Sequence, residues 1–463
     1  MDHTQQLSEK NISKLLFEFS LPAIVGMLVN SLYNVIDRAF IGNSVGTLGL
    51  AGVTISFPVM LIIVAFVLLI GIGASALVSI KLGEGDRDQA ERIVGNAFLL
   101  LTIVSLAITF FGLIFLKPVL KLFGASREVL PYAEAYLQVI LGGTLFQSIG
   151  FGMNNFIRGE GNPRTAMFTM LLGAALNVVF CPIFIFGLGM GIRGSALATV
   201  LAQGISGLWV LHYFISGKSS LKIRRKNLKL DQAIVGKIIA LGSAQFVMEL
   251  ATSLVNLILN RSLIRYGGDL AISGMGIVTS LQTLVLMPLF GINQGVQPII
   301  GFNYGAQKYD RVKQALKLAV LGASIIAIAG FVIVEAFPEQ LVGVFNRDDA
   351  RLRDFTVYAM RVFLMMLPLI GFQVIGSNYF MAVGRPTPAA LLSLSRQFIL
   401  LIPAVLILPH FFKLHGVIMA GPVADFGASL ITAAWLYQEL RRLHVMSGKM
   451  PAITAMKQGE THG

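Results

Sequence analysis

Among the ionisable side chains inside stretches that are otherwise apolar, four stand out: Asp37, Glu249, Arg396 and Asp425. A charge withdrawn from water is expensive. Within long apolar segments such residues mark proton, ion or ligand sites unless they pair with one another. Asn30, Asn34 and Asp37 are spaced i, i+4, i+7 and share one face of a helix. That stripe reads either as a hydrogen-bonded seam between helices or as a protonatable, cation-binding site. Gln245, Glu249, Thr252, Asn256 and Asn260 form a second stripe at i, i+4, i+7, i+11 and i+15. Arg396 and Asp425 either join Glu249 in a charge network or make a static ion pair that locks helices. Gln147 and Asn154, Asn293 and Gln297, and Gln373 add uncharged hydrogen-bonding groups in other segments. Asp37, Asn34, Glu249 and Asp425 are thus candidates for cation coupling. Asn30, Gln147, Asn154, Asn256, Asn293, Gln297, Gln373 and Arg396 are candidates for contact with a substrate.

The elements that must carry these residues are long apolar helices. Of 463 residues, 55% are hydrophobic and 13% charged, about half the charge of an ordinary soluble domain. Mean hydropathy is +0.77. A soluble enzyme or a disordered chain would need a more charged exterior. A bilayer core of about 30 Å takes roughly 20 apolar residues per helix. Twelve segments qualify, at approximately 15–42, 51–80, 93–116, 132–156, 165–187, 194–216, 233–262, 272–300, 315–337, 354–381, 389–410 and 416–440. These runs are continuous and do not alternate as barrel strands do. Pro22, Pro58, Pro182, Pro288, Pro298, Pro368 and Pro403 fall in or near the segments and should bend them. No signal peptide is expected in the polar stretch that precedes Leu15. The fold class is an all-α polytopic membrane protein.

The net charge of +13 would suit a nucleic-acid partner in a soluble protein. Its placement argues otherwise. With the N-terminus in the cytoplasm, 23 Lys and Arg fall on the cytoplasmic side and 10 outside, and Arg38, Arg361 and Arg396 lie in the spans. This is the positive-inside pattern. It predicts a multi-pass protein of the cell membrane with both termini cytoplasmic and no nucleic-acid partner. Lys218–Lys229 holds six cations and no acid, and reads as a cytoplasmic loop.

The sequence also repeats itself. At one fixed shift Ser31 meets Ser253, Asn34 meets Asn256, Gly46 meets Gly268, Gly52 meets Gly274, Gly73 meets Gly295, Gly83 meets Gly305 and Asp88 meets Asp310. With the shift lengthened by a single position, Asn155 meets Asn378, Gly161 meets Gly384 and Pro163 meets Pro386. The chain divides into an N-terminal six-helix bundle (1–216), a basic cytoplasmic linker (217–231) and a C-terminal six-helix bundle with its tail (232–463). Six is even, so the halves are parallel repeats, a design that favours alternating access.

Other chemistries find little support. One cysteine, Cys181, excludes an internal disulfide framework and a Cys-based metal cluster. His410 and His415 do not make a zinc site. Gly189-Met-Gly-Ile-Arg-Gly194 has the letters of a dinucleotide fingerprint but not its strand–turn–helix setting. No phosphate-binding loop and no clustered nucleophile and base occur, so neither an enzyme nor a cofactor or metal is expected.

Asn34-Val-Ile-Asp-Arg-Ala-Phe-Ile-Gly42, Gly191-Ile-Arg-Gly-Ser-Ala-Leu-Ala-Thr199 and the two six-helix halves together resemble the multidrug and toxic compound extrusion (MATE) family. The resemblance covers essentially the whole chain apart from the termini. It implies a V-shaped twelve-helix transporter that exports organic cations and drugs in exchange for H⁺ or Na⁺; a monomer is expected. It also implies a coupling site built on the acid Asp37, with Asn177 and Thr199, and a second-half acid at Glu249. Where the family often has Asn, three residues, then Asp-Pro, this chain has Asn177-Val-Val-Phe-Cys181-Pro182. Cys replaces the second acid. A hard cation prefers several oxygen ligands, so H⁺ is the expected ion. The wider superfamily implies an alternative, a lipid-linked oligosaccharide flippase, which should line its cavity with several Arg and Lys.

Overall fold

The structure is a computed structural model. It describes residues 3–345 and 350–459, and their side chains except those at 3–5, 34–35, 38–39, 43, 47, 269 and 447–459. Twelve long helical stretches follow one another, with no strand among the described residues. They are α1 Ile12–Val45, α2 Thr47–Gly83, α3 Arg87–Ile114, α4 (130–159), α5 Pro163–Gly187, α6 Gly191–Ile215, α7 Gln232–Gly268, α8 Leu270–Gly305, α9 Tyr309–Ala336, α10 (350–382), α11 (386–412) and α12 (414–446). Among the described residues, nine helical runs are long and apolar enough to cross a membrane, or ten with the bent pair of α10. Twelve is reached because Pro386–Met446 carries two spans broken at Lys413, and because a π-helical turn interrupts α4.

The hydrophobic pattern explains which faces are covered. On α3, Ile93, Val94, Ala97 and Leu101 are buried, while Ile103, Leu106 and Phe110 are exposed. At the repeat-matched places of α9, Ala315, Leu316, Ala319 and Ala323 are buried, while Ile325, Ile328 and Val332 are exposed. One face packs on neighbouring helices. The other is an apolar stripe far larger than water would tolerate, and it suits lipid.

The helices form two compact units. One comprises Met1–Gln6 and Leu21–Leu250; the other comprises Leu7–Ser20 and Ala251–Gly463. The first unit therefore extends past the 217–231 linker and takes in the first half of α7. The second takes in the first turns of α1. Glycine makes both arrangements possible. A Cβ on Gly73 would stand 2.2 Å from the carbonyl oxygen of Ile238 and 2.9 Å from the amide of Gly242. At the repeat-matched place, a Cβ on Gly295 would stand 2.7 Å from the amide of Ser20.

Turn geometry repeats as well. Left-handed φ occurs at Gly46 and Gly268, Gly85 and Gln307, Gly161 and Gly384, and Gly191 and Lys413. The two members of each pair are related by the internal repeat. Lys413 holds φ 50° and ψ −130°, a region hospitable to glycine alone. A side chain there costs about 1–3 kcal/mol. Lys413→Gly is expected to raise the melting temperature in detergent; a fall would mean that the Lys413 side chain makes a contact worth more than the strain.

The basic linker is an ordered part of the first unit. Glu160, fully buried at the turn between α4 and α5, accepts hydrogen bonds at Oε2 from Ser219 Oγ (2.6 Å), Ser220 N (2.9 Å) and Ser220 Oγ (2.8 Å). Arg224 pairs with buried Glu91 at 2.9 Å, and Asn96 Oδ1 accepts from the Asp231 amide at 2.7 Å. In the second unit the N-terminal segment is held in a comparable way. Asn303 donates to the Leu7 carbonyl at 3.2 Å, and Arg311 donates to the Lys10 carbonyl at 2.7 Å.

Burial pushes the Glu160 carboxyl above its ordinary range, against hydrogen bonds from Ser219, Tyr213 and Ser220 that favour the charged form. The folded chain thus holds this proton more tightly than the unfolded chain. Its stabilising effect is full below the ordinary carboxylate range and is lost as pH rises through the raised value. Glu160→Gln should flatten the decline of melting temperature with rising pH. An unchanged slope would assign that decline to another group.

Candidate functional site

The first unit encloses a cavity of about 270 Å³ lined by residues of α1, α2, α4, α5 and α6. Each helix contributes one face. From α5 come Met170, Gly173, Ala174 and Asn177; from α6 come Thr199, Ala202, Gln203 and Ser206. Both sets follow the three-to-four residue spacing that keeps side chains on one stripe. Aromatic and aliphatic walls come from Tyr33 of α1, Phe57, Met60, Leu61 and Val64 of α2 and Tyr136 of α4.

Asp37 is the one carboxylate among the lining residues, and it is 8% exposed. Its Oδ1 accepts from Ser195 Oγ at 2.8 Å and from Cys181 Sγ at 3.0 Å. Asn177 donates its amide to Thr199 Oγ1 at 3.0 Å. The three residues that the resemblance assigned to ion coupling, Asp37, Asn177 and Thr199, therefore line one cavity. Asn30, Gln147 and Asn154 line it too. The side chain of Asn34 lies outside the described residues.

Cys181 does not act as an oxygen-like ligand here. Its thiol points at the carboxylate as a donor. Ser195 was missed from sequence, although it stands in the 191–199 segment. It lies one helical turn before Thr199, so the spacing could have placed it on the same face.

The backbone supports this arrangement. α4 turns π-helical over Ser148–Gly152, between Gln147 and Asn154. α5 turns π-helical over Ile183–Gly187, directly after Cys181 and Pro182. Proline in a helix removes a donor and crowds the preceding turn, and single π turns of this kind are frequent at functional sites. Gly194 lets α6 approach that turn: a Cβ there would stand 2.8 Å from the carbonyl carbon of Phe184.

In the second unit, Arg396 and Asp425 meet. Nε of Arg396 lies 2.6 Å from Oδ1 of Asp425, with side-chain exposures of 25% and 3%. Arg396 sits in the third π-helical turn, Ser395–Leu401. Neighbouring Gln397 donates to Thr252 of α7 at 3.4 Å. Ala424, the residue before the acid, belongs to an apolar cluster with Val255, Leu401 and Ala420. Gln373 is buried, Asn293 and Gln297 are half-buried, and Asn256 is exposed. Glu249 accepts a hydrogen bond from Gln245 at 3.1 Å; both lie in the part of α7 that belongs to the first unit. No group of three or more His, Cys, Asp or Glu suited to a metal occurs among the described residues.

The MatE family model matches twice, over residues 22–183 and 245–407. The chain belongs to the MatE family. The starts of the two matches, at positions 22 and 245, are related by the same period as the internal repeat. As a MatE-family chain it is also similar along nearly its full length to named relatives. It is 26% identical over 437 residues to the Multidrug export protein MepA of Staphylococcus haemolyticus (strain JCSC1435), covering 94% of this chain and 96% of that one. It is 25% identical over 439 residues to the Multidrug export protein MepA of Staphylococcus aureus (strain MRSA252), covering 95% and 96%.

Two solved structures share the MatE-family fold. One is the outward-facing conformation of a multidrug resistance MATE family transporter of the MOP superfamily, with TM-score 0.90, 25% identity and coverage of 96% and 99%. The other is a MOP superfamily transporter from Pyrococcus furiosus described as having a binding pocket of reverse polarity, with TM-score 0.89, 25% identity and coverage of 95% and 98%. This MatE-family chain is a multi-pass membrane transporter.

Proposed function

We propose that this chain is a secondary active multidrug efflux transporter of the cell membrane, exporting organic cations and drugs in exchange for H⁺ by alternating access. The observation that carries this reading is a mixed aromatic, aliphatic and amide cavity with a single buried carboxylate. A hydrophobic cation gains apolar contact from the walls and charge compensation from Asp37. A proton on the same carboxylate removes that compensation, so proton uptake and cation release compete for one group. This competition is what an antiporter requires.

The donor set favours H⁺ over Na⁺. Asp37 faces a thiol and a hydroxyl that both donate to it, and no second carboxylate lines the cavity. A hard cation would ask for several oxygen acceptors. The bias of Lys and Arg across the connectors supports cytoplasmic termini. Each proposed site is built within one chain, so a monomer suffices. A flippase reading gains nothing from the lining, which contains no Lys or Arg.

Reconstitution in vesicles tests the reading. An imposed pH gradient should drive uptake of a fluorescent organic cation, and a Na⁺ gradient alone should not. Uptake driven by Na⁺ at constant pH would reverse the ion assignment. Uptake that follows neither gradient would remove the antiport.

A further inference from the structure

Arg158 ends α4, and by sequence it counts among the loop cations. The structure buries it at 5% exposure. Its side chain makes two hydrogen bonds, neither to an acid. Nη2 donates to Asn155 Oδ1 at 2.8 Å, and Nη1 reaches Met170 Sδ at 4.0 Å. No carboxylate among the described residues forms an ion pair with it. A buried guanidinium held by an amide and a thioether is unusual, because buried cations ordinarily have an anionic partner. One turn earlier on the same face, Asn154 leaves its Oδ1 buried and without a partner. Its Nδ2 donates to the Ala166 carbonyl at 2.9 Å.

Met170 and Asn154 both line the cavity, and Arg158 does not. Met170 therefore stands between the guanidinium and the cavity. Its sulfur is a weak acceptor, and its unbranched side chain can swing aside. On α5, residues 170, 174, 177 and 181 form one stripe at i, i+4, i+7 and i+11. Residue 170 contacts Arg158 and residue 181 contacts Asp37. Eleven residues at 1.5 Å each separate the two contacts by about 16 Å. The chamber thus has a carboxylate at one end and a concealed guanidinium at the other.

We propose that Arg158 is a second subsite of this chamber, which takes an anionic group of the substrate once Met170 moves. The ligand class is an elongated zwitterionic amphipath. Its cationic nitrogen lies toward Asp37 and its carboxylate, or another anionic acceptor, toward Arg158. This inference rests on the reading of the cavity as a substrate chamber. A carboxylate would replace a weak sulfur acceptor with a charge-assisted, two-pronged contact. Asn154 Oδ1 cannot serve the anion, but it can accept from a protonated or hydroxylated edge of the same molecule.

The test uses the full-length protein in detergent and a matched pair of probes. One is a rigid, rod-shaped biaryl with trimethylammonium at one end and carboxylate at the other, the charges roughly 10 Å apart, which is the span between the two contacts less a hydrogen-bond length at each end. The second is its methyl ester. Wild type should bind the carboxylate about 10-fold more tightly than the ester, the scale of one hydrogen bond between charged groups. Arg158→Gln should lose that preference by weakening the carboxylate alone, and Arg158→Lys should restore part of it. Met170→Ala should raise the preference for the carboxylate over the ester severalfold, and it decides the matter if Arg158→Gln does not assemble. Equal binding of both probes by wild type, or equal weakening of both by Arg158→Gln, would overturn the subsite and leave the chamber standing. If neither probe binds but tetraphenylphosphonium does, the subsite alone falls. If tetraphenylphosphonium does not bind either, the chamber reading falls with it.

Discussion

Asp37→Asn is expected to reduce proton-driven cation transport in vesicles to the level of protein-free vesicles, with no loss of folded protein. The variant keeps the size of the side chain, and its amide oxygen can still accept from Ser195 and Cys181. Thermal stability should therefore stay within about 1 kcal/mol of wild type, the worth of one ordinary hydrogen bond. What the variant cannot do is carry a charge or exchange a proton. No other carboxylate lines the cavity to take over the task. Ser195→Ala, which removes one donor at 2.8 Å and leaves the acid in place, should give an intermediate rate. Wild-type transport by Asp37→Asn would remove Asp37 from the coupling mechanism. A normal rate in Ser195→Ala would make its hydroxyl a packing feature only.

Breaking the Arg396–Asp425 pair should have the largest effect on stability. Asp425 is nearly fully buried, with its partner at 2.6 Å. Asp425→Asn would leave the largely buried guanidinium of Arg396 without its counter-ion, at about 3–5 kcal/mol. The double variant Arg396→Met with Asp425→Leu removes both charges and should recover most of that loss, because a well-packed apolar pair often matches a buried ion pair. Thermal unfolding of the single and double variants in detergent measures this coupling. The same proteins in vesicles ask a separate question. If the pair contacts substrate or ion, the stable double variant should transport poorly. Full transport by the double variant would make the pair a static lock between α11 and α12.

Much of the architecture was legible without coordinates, for a physical reason. A bilayer admits only helices and closed barrels as spans and favours apolar side chains toward lipid. Hydropathy and loop charge therefore carry more information here than in a soluble protein. The internal repeat was readable because both halves solve the same packing problem, and it reappears as matched left-handed turns at Gly46 and Gly268. The boundary between compact units was not readable in this way. α1 and α7 pass through it in mid-helix, at Ser20 and Leu250, and nothing in local composition changes there.

The candidate site divides along the same line. Sequence by itself determined that Asp37 stands on a polar face of a long apolar helix, and that Arg396 and Asp425 are too costly to be accidental. Those conclusions need only spacing and the free energy of a charge in hydrocarbon. Tertiary structure alone decided which groups meet. It turned Cys181 from a missing acid into a hydrogen-bond donor and brought Ser195 to the same oxygen. It paired Arg396 with Asp425. It also took Arg158 and Glu160 out of a loop that composition reads as solvated and buried both. Side chains two residues apart on one turn can face solvent or core, depending on what packs over them. Here that cover includes the 217–231 linker on one side and Met170 of α5 on the other, and no periodicity within α4 encodes them.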